Sequence, residues 1–326
     1  MIVLGIESTA HTFGVGIIKD KEILSDCRAV YSPKEGGIHP AKATEHHTEN
    51  AIFVLEKALK KAKLSERDVD LIAFSQGPGM PPCIDVGCVV ARSLSLKLEK
   101  PLIGVNHAVA HIEIGKLLSG AKDPVVLYVS GGNSQILSFS NGRYRIFGET
   151  LDIAIGNALD KFARSLGIPH PGGPEIEKLA KKGKRLIELP YVVKGMDFSF
   201  SGIVTSLQEK YKSGKYSKED LCFSFQEYAF SMLIEATERA LAHLDKKEVL
   251  LTGGVAANSR FKEMLEIMCK ERGAKIFETP KEFCGDNGTM IAYLGLLEYN
   301  SGKRTKISES IKKPNWRADQ VEIKWM

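Results

Sequence analysis

Two histidines four residues apart, in the run His107-Ala108-Val109-Ala110-His111, carry the sharpest chemical signal in this sequence. On a helix that spacing stacks both imidazoles on one face, as two ligands of one metal ion require. The pair alone leaves chance and ligation both open. A zinc peptidase of the HExxH type carries its general base where Ala108 stands, which argues against that mechanism and leaves metal binding open. His46 and His47 are adjacent, so on a helix they point in different directions and read as surface or core residues rather than ligands.

A second kind of chemistry lies in small-residue turns between apolar runs. Val125 to Phe139, VVLYVSGGNSQILSF, reads as two strands broken by the tight turn Ser130-Gly131-Gly132-Asn133. Its glycines are expected at positive φ, with bare N–H groups forming a concavity for an anion. The chain opens with the same pattern, Ile2 to Ile18, IVLGIESTAHTFGVGII. Two such units make two lobes whose turns face each other across a nucleotide phosphate chain. Ser75-Gln76-Gly77-Pro78-Gly79-Met80-Pro81-Pro82 is a further glycine loop between strand and helix, open to reading as an anion site or as an ordinary crossover. In Thr252-Gly253-Gly254-Val255-Ala256-Ala257-Asn258 the glycines let a flat group lie against bare backbone.

The charged candidates have structural readings too. Glu175 and Glu177 follow His170-Pro171-Gly172-Gly173-Pro174, where acidic residues suit a helix start. In Cys284-Gly285-Asp286-Asn287-Gly288 the aspartate reads locally as a helix cap. Lys178, Lys181, Lys182, Lys184 and Arg185 form a basic run, a solvated face or a contact for a phosphate backbone.

These groups need elements to position them. The first hairpin leads to a strand at Ile23 to Tyr31, a turn at Pro33 to Gly37 and an amphipathic helix from Pro40 to Lys63 that buries Ile52, Leu55 and Leu59. A strand at Leu71 to Phe74, a helix from Ile84 to Leu98 and a strand at Pro101 to Val105 follow, with Asn106 capping the helix that starts at His107. Beyond the central hairpin come a strand at Tyr144 to Thr150, a helix at Asp152 to Leu166 containing Asp160, and an apolar loop from Lys194 to Gly202. Helices at Ile203 to Lys212 and Lys218 to His243, a strand at Glu248 to Leu251, a last helix to Tyr299 and a short basic tail from Ile307 to Met326 complete the reading.

Composition sets the frame. With 326 residues, 43% hydrophobic and 26% charged, the chain has core enough for two domains. A net charge of +5 permits an anionic partner without demanding one. The six cysteines show no CxxC, which argues against a disulfide framework or a cysteine zinc site and fits reduced thiols in a cytosol. Neither a signal peptide nor an apolar run of the ~20 residues a membrane span needs is seen, so a soluble cytoplasmic protein without a membrane partner is expected.

Taken in order, Gly5-Ile6-Glu7-Ser8-Thr9-Ala10-His11-Thr12, Ser75-Gln76-Gly77-Pro78-Gly79, Asn106-His107 with His111, Tyr128-Val129-Ser130-Gly131-Gly132-Asn133, Pro171-Gly172-Gly173-Pro174, Gly253-Gly254-Val255-Ala256-Ala257-Asn258 and Asp286-Asn287-Gly288 carry a family resemblance. The sequence closely resembles, end to end, the universal tRNA threonylcarbamoyladenosine transferases, in particular the archaeal and eukaryotic catalytic subunit of the KEOPS complex, once misnamed an O-sialoglycoprotein endopeptidase. The resemblance implies an α/β, two-lobed actin, Hsp70 and sugar-kinase (ASKHA) architecture, with duplicated strand-turn-strand lobes and a central nucleotide cleft. The lobes are expected at 1–123 with a returning segment 296–326, and at 124–295.

Residue by residue, the resemblance implies one metal ion, iron or zinc, on His107, His111, Tyr128 and Asp286. It implies a phosphate cradle from Tyr128, Val129, Ser130, Gly131 and Gly132. Asp160, Gly173, Glu177 and Asn258 would hold the adenosine part, Glu177 on ribose hydroxyls, with Gly253 and Gly254 beside them. The implied donor is threonylcarbamoyl-adenylate, made by a separate enzyme, in a site that also suits an ATP- or AMP-like nucleotide. The implied acceptor is the exocyclic amine of the adenosine 3′ of the anticodon in tRNAs reading codons that begin with A. Acyl transfer would release AMP, and His11, where bacterial relatives carry aspartate, is the candidate general base. The implied partners are tRNA, a small atypical kinase or ATPase subunit, other KEOPS subunits and a bridging dimerisation subunit. With the chain ending at Met326, the kinase-like subunit that some archaeal relatives carry fused is expected as a separate partner.

Tyr128 and Asn133 favour the archaeal or eukaryotic branch over the bacterial one. Relatives carry an arginine where Asp85 stands and a glycine nearer Pro81, which argues against a phosphate or tRNA contact by that loop. Two alternatives share the fold: a sugar kinase, which needs an aspartate base beside a sugar pocket and leaves the metal residues unexplained, and a non-catalytic ATP-binding regulator.

Overall fold

The two hairpins seen in the sequence seed two five-stranded sheets of the same topology. The computed structural model describes residues 1–33 and 37–326. In the first sheet β1 (Ile2–Glu7), β2 (Thr12–Lys19) and β3 (Glu22–Val30) form an antiparallel meander. The turn expected at Pro33 to Gly37 lies largely outside the described residues. After α1 (Pro40–Ala62), β4 (Leu71–Gly77) joins β1 in parallel; after α2 (Pro81–Leu98), β5 (Leu102–Asn106) joins β4. The strand order is β3-β2-β1-β4-β5.

Helix α3 (His107–Ser119) crosses to the second sheet, built the same way from β6 (Val125–Val129), β7 (Ser134–Ser140) and β8 (Arg143–Glu149). Next come α4 (Ile155–Ser165), α5 (Gly173–Ala180), the small ribbon of β9 (Val193–Lys194) and β10 (Asp197–Phe198), α6 (Ser201–Lys212) and α7 (Lys218–Leu244). Then β11 (Glu248–Thr252), α8 (Ser259–Glu271), β12 (Lys275–Glu278), α9 (Lys281–Cys284) and α10 (Gly288–Asn300) follow. The second order, β12-β11-β6-β7-β8, repeats the first, so the duplication is real.

Helices α3 and α10 lie in one core with residues of both sheets, Val3 and Ala73 from the first and Val126 and Leu250 from the second. Helix α10 meets β1 and β2 backbone to backbone. A Cβ on Gly16 would strike the Thr289 nitrogen, and one on Gly5 the Ala292 nitrogen. Glycine is needed there for approach rather than for its φ. The lobe boundary expected between 295 and 296 falls inside this unbroken helix.

Several expectations are corrected. The buried stripe of α1 is Ala43, His47, Ala51, Val54, Leu55, Ala58 and Leu59, while Ile52 is 60% exposed because it sits a third of a turn off that stripe. Strand β4 runs through Gly77 and α2 begins at Pro81, where proline needs no N–H partner, so the glycine loop shrinks to Pro78–Met80. Its N–H groups are spent inside the chain, Gly79 on the Pro314 carbonyl at 3.1 Å and Met80 on that of Thr9 at 2.7 Å, which removes the anion-site reading. Helix α4 starts three residues later than Asp152. The Asp152 carboxylate instead accepts the N–H groups of Ile153 and Phe200 and the hydroxyls of Ser199 and Ser201, anchoring the apolar loop 194–202.

The basic tail is a strap across both sheets. Thr305 N–H donates to Leu102 and Lys313 N–H to Gln76 on the first, while Ile323 N–H donates to Gly142 beside the second, at 2.7–3.0 Å. All six cysteines are free and buried. Among the described residues no helix is long and apolar enough to cross a membrane.

Candidate metal centre and nucleotide cleft

The start of α3 is fixed by Asn106, whose side-chain oxygen accepts the Val109 N–H at 3.1 Å. That cap puts His107 in the first helical position and His111 one turn on, their ring centroids 4.8 Å apart. At α10 the capping is done by Asn287, which accepts the Met290 N–H at 2.9 Å. The local reading of Asp286 as the cap is therefore corrected by one residue. Its carboxylate is left free and lies 3.3 Å from Nε2 of His111 and 3.6 Å from Nε2 of His107. One ligand atom from each of the three falls within 4.8 Å of the others.

Glu7, quoted in the opening motif without a role, completes this arrangement. Fully buried at the end of β1, it places Oε2 3.0 Å from Nδ1 of His107, while Oε1 accepts the N–H and hydroxyl of Thr9, each at 2.6 Å. A carboxylate behind a ligating imidazole fixes its tautomer and turns the other nitrogen to the metal. The missed signal was an acidic residue at the end of an otherwise apolar strand, a position that burial makes costly unless it is paired.

The electrostatics call for a cation. Burial disfavours charge on His107, but Glu7 and Asp286 outweigh it and raise its pKa to about 9. Burial holds that of His111 low. The Asp286 carboxyl, although buried, is held well below the usual range by the two histidines. Tyr128, at the end of β6, has its ring centroid 5.3 Å from that of His111 and a buried hydroxyl without a hydrogen-bond partner. Burial first, and then Asp286, push its pKa up. Two imidazoles, two carboxylates and an orphaned phenol in a buried pocket fit a borderline-to-hard divalent or trivalent ion.

On the other side the turn after β6 offers free donors. Ser130 N–H donates to the Asn133 carbonyl and Asn133 N–H to the Ser130 hydroxyl, at 2.8 and 3.0 Å, so the turn closes on itself. Gly131 and Gly132 have no acceptor for their N–H groups among the described residues, and a Cβ on either would meet nothing within 4 Å. Neither has positive φ, so the glycines supply open space rather than a left-handed turn. Gly253, by contrast, sits at φ +97° where a Cβ would strike the Val129 carbonyl, so the loop after β11 lies beside the end of β6.

The remaining expected contacts line the same edge with their side chains partly spent. Asp160 binds Nδ1 of His170 at 2.9 Å and the Gly172 N–H at 2.7 Å. Glu177 accepts from the Ser259 hydroxyl at 2.5 Å and pairs with Lys181 at 3.0 Å. Asn258 caps α8 through the Phe261 N–H and donates to Gln226 at 2.7 Å. Gly254 leaves open space in front of its backbone, while a Cβ on Gly173 would touch the Leu159 side chain at 3.9 Å. His11, from the turn after β1, packs against this group of residues, its ring edge-on to His170 at 5.5 Å. His47 is in the core and His46 half-buried, apart from the metal residues as expected.

Comparison with known proteins gives a family. The sequence profile of the tRNA N6-adenosine threonylcarbamoyltransferases matches residues 22–293. A protein of that name from Thermococcus kodakarensis is 57% identical over 325 residues, covering 100% of both chains. A probable bifunctional tRNA threonylcarbamoyladenosine biosynthesis protein from Methanocaldococcus jannaschii is 54% identical over 327 residues, covering 100% of this chain and 61% of its own. Among solved structures, HypF of T. kodakarensis superposes with a TM-score of 0.63 at 16% identity over 92% of this chain, which spans about half (48%) of HypF. The activator of 2-hydroxyisocaproyl-CoA dehydratase from Clostridium difficile, solved with ADPNP, gives 0.56 at 13% identity over 93% of this chain and 97% of that one. The fold is thus the two-lobed ASKHA architecture.

Proposed function

The chain belongs to the tRNA N6-adenosine threonylcarbamoyltransferase family, and from that premise we infer the chemistry of its cleft. It is an acyltransferase acting on the N6 amine of a tRNA adenosine. The donor in this reading is threonylcarbamoyl-adenylate, and the acceptor is the adenosine 3′ of the anticodon in tRNAs reading A-starting codons. The observation that carries the reading is the buried His107–His111–Asp286 cluster beside a turn with two unspent N–H groups. A sugar kinase or a passive ATP-binding regulator gives that cluster no role.

His107, His111, Asp286 and Tyr128 would hold the ion, iron or zinc, which when bound supplies Lewis acidity and a fixed point for the threonyl end. The Gly131 and Gly132 N–H groups face the phosphate, whose charge grows as AMP leaves. Asp160, Gly173, Glu177, Gly253, Gly254 and Asn258 form the wall for adenosine. The N6 amine attacks the carbamoyl carbon, the new C–N bond forms, the bond to the phosphate oxygen breaks, and the amine's proton passes to His11. Tyr128, Val129 and Ser130 set the turn in place.

The lobes in this reading are 1–123 with the returning segment 296–326, and 124–295. The partners are tRNA and the subunits of a KEOPS-type complex, including a small atypical kinase and a bridging dimerisation subunit, in the cytoplasm. The test is transfer of labelled threonine to tRNA by the protein with these partners and an adenylate-forming enzyme that makes the donor, wild type beside His111→Ala. Label in the wild type alone supports the transferase and its metal site together. No label in either, with each partner shown active, overturns the reading.

A further inference from the structure

A groove of about 340 Å³ lies between the start of α3, the turn after β6 and the C-terminal strap. Ala108, next to His107, and Asn133, the last residue of the turn, line one side; Gln135, Asn315, Trp316 and Arg317 form its other walls. Its position is fixed by the Asn106 side-chain amide, which donates to the Trp316 carbonyl at 2.9 Å and so ties the strap to the cap of α3.

The groove's lining carries one charged side chain, Arg317, and its charge is matched. Arg317 is matched by Glu149 at 3.0 Å and Asp319 at 3.4 Å, and Gln135 donates to the same Glu149 at 3.0 Å. The Asn315 amide and the carbonyl oxygen of Gln135 have no partner among the described residues. Lys313 makes no ion pair among those residues and holds its ammonium 4.6 Å over the Trp316 ring. A threonyl carboxylate needs an uncompensated cation inside, which the walls do not offer. The free Asn315 amide and the free Gln135 oxygen beside an aromatic ring suit the edge and face of a neutral base, and an unmatched lysine on the strap beside the groove suits its phosphates.

We propose that this groove takes the acceptor adenine of the tRNA, turned out of its loop, with Asn315 and Gln135 reading its edge. The inference rests on the transferase reading and adds where the acceptor enters: from the strap side of α3, past the turn after β6. Donor and acceptor then meet across the metal residues rather than competing for one pocket.

The test uses the protein with its partner subunits and three variants, Asn315→Ala, Gln135→Ala and the blocking Asn315→Trp. Asn315 is exposed, so neither change at that site disturbs the core. Each alanine variant is expected to raise the KM for tRNA about tenfold, the discrimination one base-edge contact gives. Asn315→Trp is expected to abolish transfer, with AMP affinity and bound metal per chain as in the wild type. Wild-type tRNA KM in both alanine variants overturns the proposal, as does a loss confined to AMP affinity, which would assign the groove to the donor. Failure of the transferase reading is a separate outcome, since it appears as no transfer by the wild type.

Discussion

The carboxylate of Glu7 stands 3.0 Å from Nδ1 of His107, a contact between the last residue of the first strand and the first residue of the helix that leads into the second lobe. Through it the first lobe orients a proposed metal ligand whose companions include residues from two other parts of the chain. Glu7→Gln keeps the shape and removes the charge. Metal affinity, measured by competition with a chelator, is expected to fall 10–100-fold, as for carboxylates behind ligating histidines. Unchanged affinity would make Glu7 a fold residue only.

Asp286→Ala leaves two buried imidazoles with no carboxylate between them. Bound metal per chain, by elemental analysis, is expected to drop towards zero, and transfer to fall by more than about 100-fold. Stripping the wild type with a chelator should reproduce the loss, and adding the ion back should reverse it. Recovery by the variant on adding metal would contradict the assignment.

Two glycine substitutions separate room for a ligand from room for the fold. At Gly131 a side chain meets no protein atom within 4 Å, so Gly131→Val should melt with the wild type while weakening AMP binding by about tenfold or more. At Gly16 a Cβ runs into the backbone of Thr289, so Gly16→Ala should lose about 3 kcal/mol and displace α10, with Asp286 beside it. Denaturant melts and AMP titration distinguish the two; equal melting would refute the packing argument.

His47 gives a pH dependence of stability. Fully buried, its imidazole is kept neutral in the fold, its pKa lowered by burial from 6.5 to about 4. The unfolded chain therefore binds the extra proton between those values, and stability falls as pH drops from 6.5 towards 4. The loss from this residue is about 3 kcal/mol. His47→Leu should flatten that part of the stability curve; an unaltered slope would show that His47 does not carry it.

Much of this was legible in the chain because it depends on local periodicity. The duplicated hairpins, the Asn106 cap and the imidazole pair on one face of α3 all follow from short-range rules. What was not legible depends on three-dimensional partners. Whether Asp286 or Asn287 caps α10 is decided by which one faces the histidines. The glycines at 77 and 79 look like an anion loop until the strap and Thr9 take up the neighbouring N–H groups. Ile52 misleads because alanines at 51 and 58 carry the buried stripe, and small residues are quiet in a hydrophobicity pattern. Glu7 was quoted but its task was invisible, since its partner is 100 residues away.

That separation along the chain has a consequence for how the proposed metal would be acquired. The groups that converge come from positions 7, 107, 111, 128 and 286. A ribosome has to pass residue 286 before the last carboxylate exists to meet the two imidazoles. Loading of the proposed ion is thus a late event, governed by the free ion available at that moment. In a cell short of that ion, molecules would accumulate that are folded in both lobes and idle.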